Sequence, residues 1–353
     1  MALDFFAGSG LATCGLSGQF AVKWANDICP KKAATYNANH ADHPIFPRSI
    51  TEIRGQELPA ASLAWASFPC QDLSLAGNML GLGATRSGLV REWLRIIGEM
   101  TQQPAILVAE NVPGFLTAAQ GVHYQAVHQA IESLGYRAGA IVLDASDWLP
   151  QSRPRVFLVA VRQEIDVADF TLDQPGWGHS ESIKRTASAL KRFVWWSVKR
   201  PNCQRSSLRD VIDWDHPVDD AARSRANIAL IPKSHRERLG RACSGQREVF
   251  AGYKRTRNGK QCLELRFDGV AGCLRTPGGG SSRQLLILSR DRELRTRLLT
   301  VTEAARLMGA PDGYRVVGTY NEGYKAMGDA VAVPVVQHLA ACLLSRIAER
   351  ASQ

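Results

Sequence analysis

Cys70 stands in Ser67-Phe68-Pro69-Cys70-Gln71, directly after the apolar run Leu63-Ala64-Trp65-Ala66, which reads as the end of a buried strand. A thiol on a loop leaving a sheet opens onto the crevice where α/β proteins hold ligands, so its chemistry would be nucleophilic attack. Alone this says little, because free cysteines are among the most buried residue types. Three further features fall at similar places. Glu110 puts an acid at the end of the strand-like run Leu107-Val108-Ala109. Arg153 and Arg155 precede Val156 to Val161 at i and i+2, which puts both on one side of an extended chain. Asp4-Phe5-Phe6-Ala7-Gly8-Ser9-Gly10 is a short apolar strand running into a glycine turn, suited to close approach of backbone N–H groups to a ligand. A thiol, a carboxylate and paired arginines at strand ends would converge on one crevice.

Placing those groups at strand ends requires alternating strands and helices, and residues 1 to about 162 have that pattern, the signature of a parallel sheet covered by helices. The strand candidates are Phe20 to Ala25, Leu63 to Ala66, Ala105 to Ala109, Ala138 to Leu143 and Val156 to Val161. Helices are expected over Lys31 to Asn39, Leu89 to Thr101 and Tyr124 to Leu134, the last stopped by Gly135. After Arg162 the alternation fades into a stretch richer in polar, Gly and Pro residues, with Gly278-Gly279-Gly280-Ser281-Ser282 as its clearest loop.

At 353 residues the chain exceeds the usual single-domain size, so one large and one smaller domain is the natural reading. A net charge of +10 suits a polyanionic partner. Between Lys233 and Arg266 ten Lys or Arg face three Asp or Glu, a net of +7 in 34 residues. Phe250, Tyr253, Leu263, Leu265 and Phe267 interleave with these charges, so the segment can fold. The eight cysteines contain no C-x-x-C pair, which argues against a zinc ribbon and for reduced thiols in a cytoplasm; no metal is expected. No apolar run reaches the ~18 residues of a membrane span, and no signal-peptide pattern precedes Asp4.

In order along nearly its whole length, the chain resembles the bacterial and phage DNA (cytosine-5)-methyltransferases. The resemblance rests on Phe6-Ala7-Gly8-Ser9-Gly10, Pro69-Cys70-Gln71, Glu110-Asn111-Val112 and Gln151-x-Arg153-x-Arg155. Leu299 to Gly309 is similar to the family's ninth motif and Tyr324 to Val331 to its tenth. The implied fold is α/β: a Rossmann-like S-adenosylmethionine-dependent large domain over 1–188, completed by 319–353. A smaller, mostly β target-recognition domain would occupy 189–318.

What the resemblance implies can be assigned residue by residue. Cys70 would attack C6 of a flipped-out cytosine, Glu110 would hydrogen-bond N3 and the exocyclic amine, and Arg155 would contact O2. Arg153 would help hold the Cys70 loop and the DNA backbone. S-adenosylmethionine, leaving as S-adenosylhomocysteine, would lie against Phe6, Ala7, Gly8, Ser9 and Gly10. Asp27 would hold its ribose, with Ile28, Ser49, Ile50, Pro69, Leu89, Asp329 and Ala330 completing the pocket. Three positions depart from the family's usual residues: Asp27-Ile28 replaces Glu-Trp, Ser49-Ile50 replaces a pair beginning with Asp, and Gly328-Asp329 replaces Gly-Asn. Gln71, Ser74, Lys254, Arg255, Arg257 and Arg275 would contact duplex DNA. The enzyme is expected to be a cytoplasmic monomer, and a cognate restriction endonuclease sharing its site would be a natural companion. Three alternatives are weaker. An RNA (tRNA) cytosine-5 methyltransferase is disfavoured by the long basic insertion, and a catalytically silent DNA-binding protein by the presence of thiol, acid and arginine. A nicotinamide dehydrogenase is disfavoured because Phe-x-Gly-x-Gly lacks the third glycine of the dinucleotide fingerprint.

Overall fold

Six strands make the larger sheet: β1 (Ala2–Phe5), β2 (Val22–Asn26), β3 (Leu63–Ala66), β4 (Ile106–Asn111), β5 (Tyr136–Asp144) and β6 (Pro154–Arg162). They are seen in a computed structural model that describes all residues except 46, 70–87, 244–246, 276–282 and 292. The strand order is β2-β1-β3-β4-β6-β5. Strands β1 to β4 pair in parallel, whereas β6 runs antiparallel to both β4 and β5. The sheet is therefore mixed, where the sequence pattern suggested a parallel one. The cause is the β5–β6 connection: residues 145–153 hold one short 3-10 turn and no crossover helix, so β6 must return beside β5. Every residue of β1, β3 and β4 is buried, which is why these strands are mostly apolar without alternation, Asp4 and the Glu110-Asn111 end of β4 being the exceptions.

Contacts divide the chain into two compact units, Met1–Asp144 with Pro154–Asn202 and Val333–Gln353, and Ala145–Arg153 with Cys203–Ala332. The sequence reading set its boundaries at 188/189 and 318/319, some fourteen residues earlier in each case.

In the first unit the helices are α1 (Leu11–Leu16), α2 (Pro30–Asn39), α3 (Leu89–Glu99), α4 (Gly114–Thr117), α5 (Val122–Ser133) and α6 (Glu181–Ser188). A two-stranded antiparallel sheet of β7 (Thr171–Leu172) and β8 (Trp195–Trp196) also belongs to this unit. Helix α3 buries Val90, Trp93, Leu94, Ile96 and Ile97, at i, i+3, i+4, i+6 and i+7, which puts all five on the core side. Each such side chain contributes roughly 1.5–3 kcal/mol by leaving water. Trp93 meets Phe5 edge-on at 6.4 Å, joining helix to sheet. The chain closes with α12 (Val333–Leu339), a π-helical turn over Ala340–Leu344, and α13 (Ser345–Arg350). A side chain at Gly15 would lie 2.5 Å from Val336 Cβ, so α1 and α12 meet only because residue 15 is glycine. The stretch Tyr320–Arg350 is long and apolar enough to span a membrane, but the helix breaks before Val333, and Val333, Val335, Val336 and Leu339 are buried in the protein.

The second unit is built on an antiparallel sheet in the order β10-β9-β11-β12, from β9 (Glu248–Arg257), β10 (Lys260–Leu265), β11 (Gln284–Arg290) and β12 (Glu293–Leu298). Asn258-Gly259, both at positive φ (49° and 75°), turn β9 into β10 as Asn-Gly pairs do in tight hairpins. Around it stand α7 (Leu208–Val211), α8 (Ala221–Ala229), α9 (Lys233–Ala242), α10 (Val301–Leu307) and α11 (Tyr320–Asp329). One face of the sheet packs Phe250, Leu263, Leu265, Leu285 and Ile287 with Ile231 and Leu239 from the helical segment.

Candidate functional site

Glu110 is the penultimate residue of β4 and lies opposite Phe157 of β6, which places Arg155 on its diagonal. Arg155 Nε reaches Glu110 Oε1 at 3.1 Å, with the two side chains only 11% and 7% exposed. Arg155 Nη1 also donates to Pro154 O at 2.8 Å, fixing the guanidinium. Next to the acid, Asn111 Nδ2 donates to Phe68 O at 3.0 Å and its Oδ1 accepts from Val112 N at 2.9 Å. Asn111 therefore ties the acid-bearing strand end to the segment that leads through exposed Pro69 toward Cys70. The sequence reading gave Asn111 no role, although a polar residue at the end of an otherwise apolar strand was a visible signal. Cys70, Gln71 and Ser74 lie outside the described residues.

Arg153 and Arg155 do not act as a pair, contrary to the expectation from their spacing. Strand β6 begins at Pro154, so Arg153 belongs to the preceding turn and to the second unit. It is 1% exposed, which removes it from any DNA backbone. Its Nη1 donates to Leu274 O at 3.1 Å and its Nη2 to Gly328 O at 2.8 Å and to Ala330 O. Arg153 clamps the end of α11, where Asp329 and Ala330 stand. Gln151, fully buried, works the same way: Nε2 donates to Leu307 O at 2.6 Å and Oε1 accepts from Leu274 N at 3.1 Å. Asp329 itself is exposed.

At the end of β1, Phe6 and Gly8 have positive φ of 56° and 58°, and Gly10 follows at 89°. A side chain at Gly10 would lie 2.5 Å from His40 Nε2, whereas one at Gly8 would meet nothing nearer than 3.9 Å. The loop is thus packed tightly behind and open at Gly8. Asp27 braces it, Oδ2 accepting from Gly8 N at 2.9 Å and Oδ1 from Cys29 N at 2.7 Å. Ile28 beside it is 67% exposed, an apolar surface where the family has an aromatic ring. Ser49 Oγ accepts from Thr51 N at 3.3 Å and lies 2.7 Å from Thr51 Oγ1, capping a short turn. Ile50, read as a pocket residue, is instead core, 3% exposed, and half-buried Leu89 packs against the same core. An open glycine loop, a carboxylate and an apolar edge fit an adenosyl cofactor.

Behind this loop Asp4 is fully buried, one oxygen accepting from Thr13 Oγ1 at 2.7 Å and the other without a partner. Burial pushes its carboxyl up to about 7, against the opposing Thr13 hydrogen bond and with help from Asp27. A raised acid favours folding in its protonated form, so this contribution is complete below pH 3.8 and is lost as pH rises to about 7. Asp4→Asn should therefore raise Tm at pH 8 by a few degrees, with the gap closing at pH 4 to 5. A gap equal at both pH values in thermal melts would contradict the assignment.

On the second unit, Arg255 and Arg257 lie on one face of β9 with Tyr253, and both reach Glu264 of β10, at 3.0 and 2.7 Å. Arg255 and Arg275 flank the Tyr253 ring at 5.6 and 5.8 Å, within cation–π range. Lys254 points to the other face, opposite Leu263. The basic run is therefore a partly neutralised arginine–tyrosine cluster, with Lys254 apart from it.

The chain matches the model of C-5 cytosine-specific DNA methylases over residues 1–345. It is 25% identical over 354 residues to Type II methyltransferase M.HhaI of Haemophilus parahaemolyticus, covering 96% of this chain and 92% of that protein. It is 26% identical over 346 residues to Type II methyltransferase M.FnuDI of Fusobacterium nucleatum, at the same coverages. The solved Dnmt2 methyltransferase of S. pombe shares the fold, with a TM-score of 0.64 at 17% identity over 100% of this chain and 99% of that one. The chain belongs to the C-5 cytosine-specific DNA methylase family. It is a DNA (cytosine-5)-methyltransferase.

Proposed function

We propose that the enzyme transfers a methyl group from S-adenosylmethionine to C5 of a cytosine flipped out of a specific duplex sequence, through a covalent bond between Cys70 and C6. The observation that carries this reading is the buried Glu110–Arg155 pair, joined through Asn111 to the strand end that leads to Pro69-Cys70. Cytosine C5 is a weak nucleophile until a thiolate adds to C6 and makes the ring enamine-like. Cys70 supplies the thiolate. Glu110 hydrogen-bonds N3 and the exocyclic amine, stabilising charge that develops as sulfur adds, and Arg155 both orients Glu110 and faces O2. S-adenosylmethionine supplies an electrophilic sulfonium methyl group, held by the Gly8 loop, Asp27 and Ile28. Loss of the C5 proton then expels Cys70 and restores the aromatic ring. The arginines about Tyr253 contact the duplex.

Bisulfite sequencing of DNA from cells expressing the chain should reveal protected cytosines at one short recurring sequence. Protection absent in those cells, with the protein present and folded, would overturn the proposed activity.

A further inference from the structure

Residues 182–202 hold six Lys or Arg and no Asp or Glu. They fall as three adjacent pairs, Lys184-Arg185, Lys191-Arg192 and Lys199-Arg200, and all six residues are exposed. Between them the chain turns inward: Ile183, Thr186, Ala187, Trp196 and Val198 are buried.

The segment is anchored through its backbone and its inward side chains, leaving the cations outside. Thr186 Oγ1 donates to Leu116 O of α4 at 3.4 Å, and His128 Nε2 of α5 donates to Arg192 O at 3.0 Å. Val194 N donates to Ala138 O of β5 at 2.9 Å, Trp196 Nε1 to Val159 O at 3.0 Å, and His338 Nε2 of α12 to Lys199 O at 2.7 Å. The result is a strap along the β5 edge of the sheet. It starts on α4, whose first residue, Gly114, follows Glu110 by only four positions.

Its charge is concentrated. The strap at +6 and residues 233–266 at +7 exceed the chain's net +10, so the remaining residues together are net negative. Clustered like charges destabilise a fold by repulsion, and a bound polyanion relieves it. Glu181 lies 2.6 Å from Lys184 in an exposed ion pair weak enough for a phosphate to replace. In the 233–266 run Arg255 and Arg257 share Glu264 in ion pairs that are likewise partly open to solvent.

The strap suits phosphates more than bases or lipid. Its aromatic residues are engaged, Phe193 stacking on His128 at 5.9 Å and Trp195 meeting Phe193 at 4.7 Å, so none is free as a base-stacking platform. No large exposed apolar residue falls within 182–202 to enter a bilayer. We propose that the three Lys-Arg pairs form a second DNA surface, on the first unit, that grips backbone phosphates of the duplex beside the target without reading sequence. This rests on the reading of the chain as an enzyme of duplex DNA.

The test is salt-dependent binding, by fluorescence anisotropy, of the full chain carrying Arg185→Gln, Lys191→Gln, Arg192→Gln and Lys199→Gln. On a duplex of about three helical turns the slope of log K against log salt should shrink by about 3 to 4, at about 0.9 per lost contact. Target and scrambled duplexes should lose affinity equally. A variant with Arg185→Lys and Arg192→Lys should keep the wild-type slope, which separates charge from folding. An unchanged slope in the glutamine variant, a loss confined to the target duplex, or a weakening seen only on anionic vesicles or RNA would overturn the proposal. Wild-type protein that binds no duplex at all would instead overturn the underlying reading.

Discussion

Cys70→Ser should lower methyl transfer by on the order of 10³-fold or more while leaving DNA affinity nearly unchanged. A cysteine thiol of pKa ~8.5 is a few per cent ionised at neutral pH and is intrinsically nucleophilic, whereas a serine hydroxyl offers almost no alkoxide. Transfer of label from S-adenosylmethionine into a mixed-sequence duplex reads the effect. A 5-fluorocytosine duplex, which has no C5 proton to lose, should trap wild-type protein covalently and leave the variant free. Glu110→Gln gives the companion result. It preserves shape beside Arg155 but cannot pass a proton to N3, and a positioned general acid of this kind is worth roughly 10²–10⁴-fold. Turnover of the serine variant above a few per cent of wild type would remove Cys70 from the nucleophile role.

Why Glu110 was legible in the sequence and the partition of the two arginines was not comes down to range. Glu110 closes an apolar run, and the run marks the strand, so the position of the acid follows from local pattern alone. The same holds for Leu63–Ala66, found where the sequence placed it, and for the start of α3 at Leu89. Arg153 and Arg155 look equivalent at i and i+2, yet Pro154 opens β6 between them, and the partners of Arg153 lie more than a hundred residues later at Leu274, Gly328 and Ala330. Likewise the net charge of 233–266 was countable, but its neutralisation by Glu264 depends on the β9–β10 register, which sets Cys262 against Arg255 and Glu264 against Tyr253. Helix α9 gave no warning because only Leu239 is buried along it, with Ala242 partly buried at its end, and so few apolar positions give no period to read.

The same limit applies to the interaction expected to matter most for stability of the second unit. Thr300-x-x-Glu303 before an apolar run is a recognisable capping box, and both of its hydrogen bonds form: Glu303 N donates to Thr300 Oγ1 at 3.1 Å and Thr300 N to Glu303 Oε2 at 2.8 Å. Sequence does not reveal that the capping carboxylate also meets Arg297 on β12 side by side, Nη2 to Oε1 at 2.6 Å and Nη1 to Oε2 at 2.8 Å, with side-chain exposures of 3% and 0%. Asp213 N adds a bond to Oε1 at 2.8 Å, and Arg297 Nη2 donates to Asp213 O at 2.7 Å. Burial alone would push the Glu303 carboxyl up, but the bonds from Arg297, Thr300 and Asp213 outweigh it and hold it below the usual range. A lowered acid stabilises above its unfolded pKa and loses that contribution as pH falls. Glu303→Ala strands a buried guanidinium and should cost about 3–5 kcal/mol in urea denaturation, with the loss smaller at acid pH. Replacing both partners, Arg297→Met with Glu303→Leu, should recover the part due to the stranded guanidinium. It should not recover the part due to Thr300 N and Asp213 N, which lose their partner in both variants, and Asp213 O loses its own in the double variant. A single variant within 1 kcal/mol of wild type, or a double variant as unstable as the single, would show that the pair's burial is incidental.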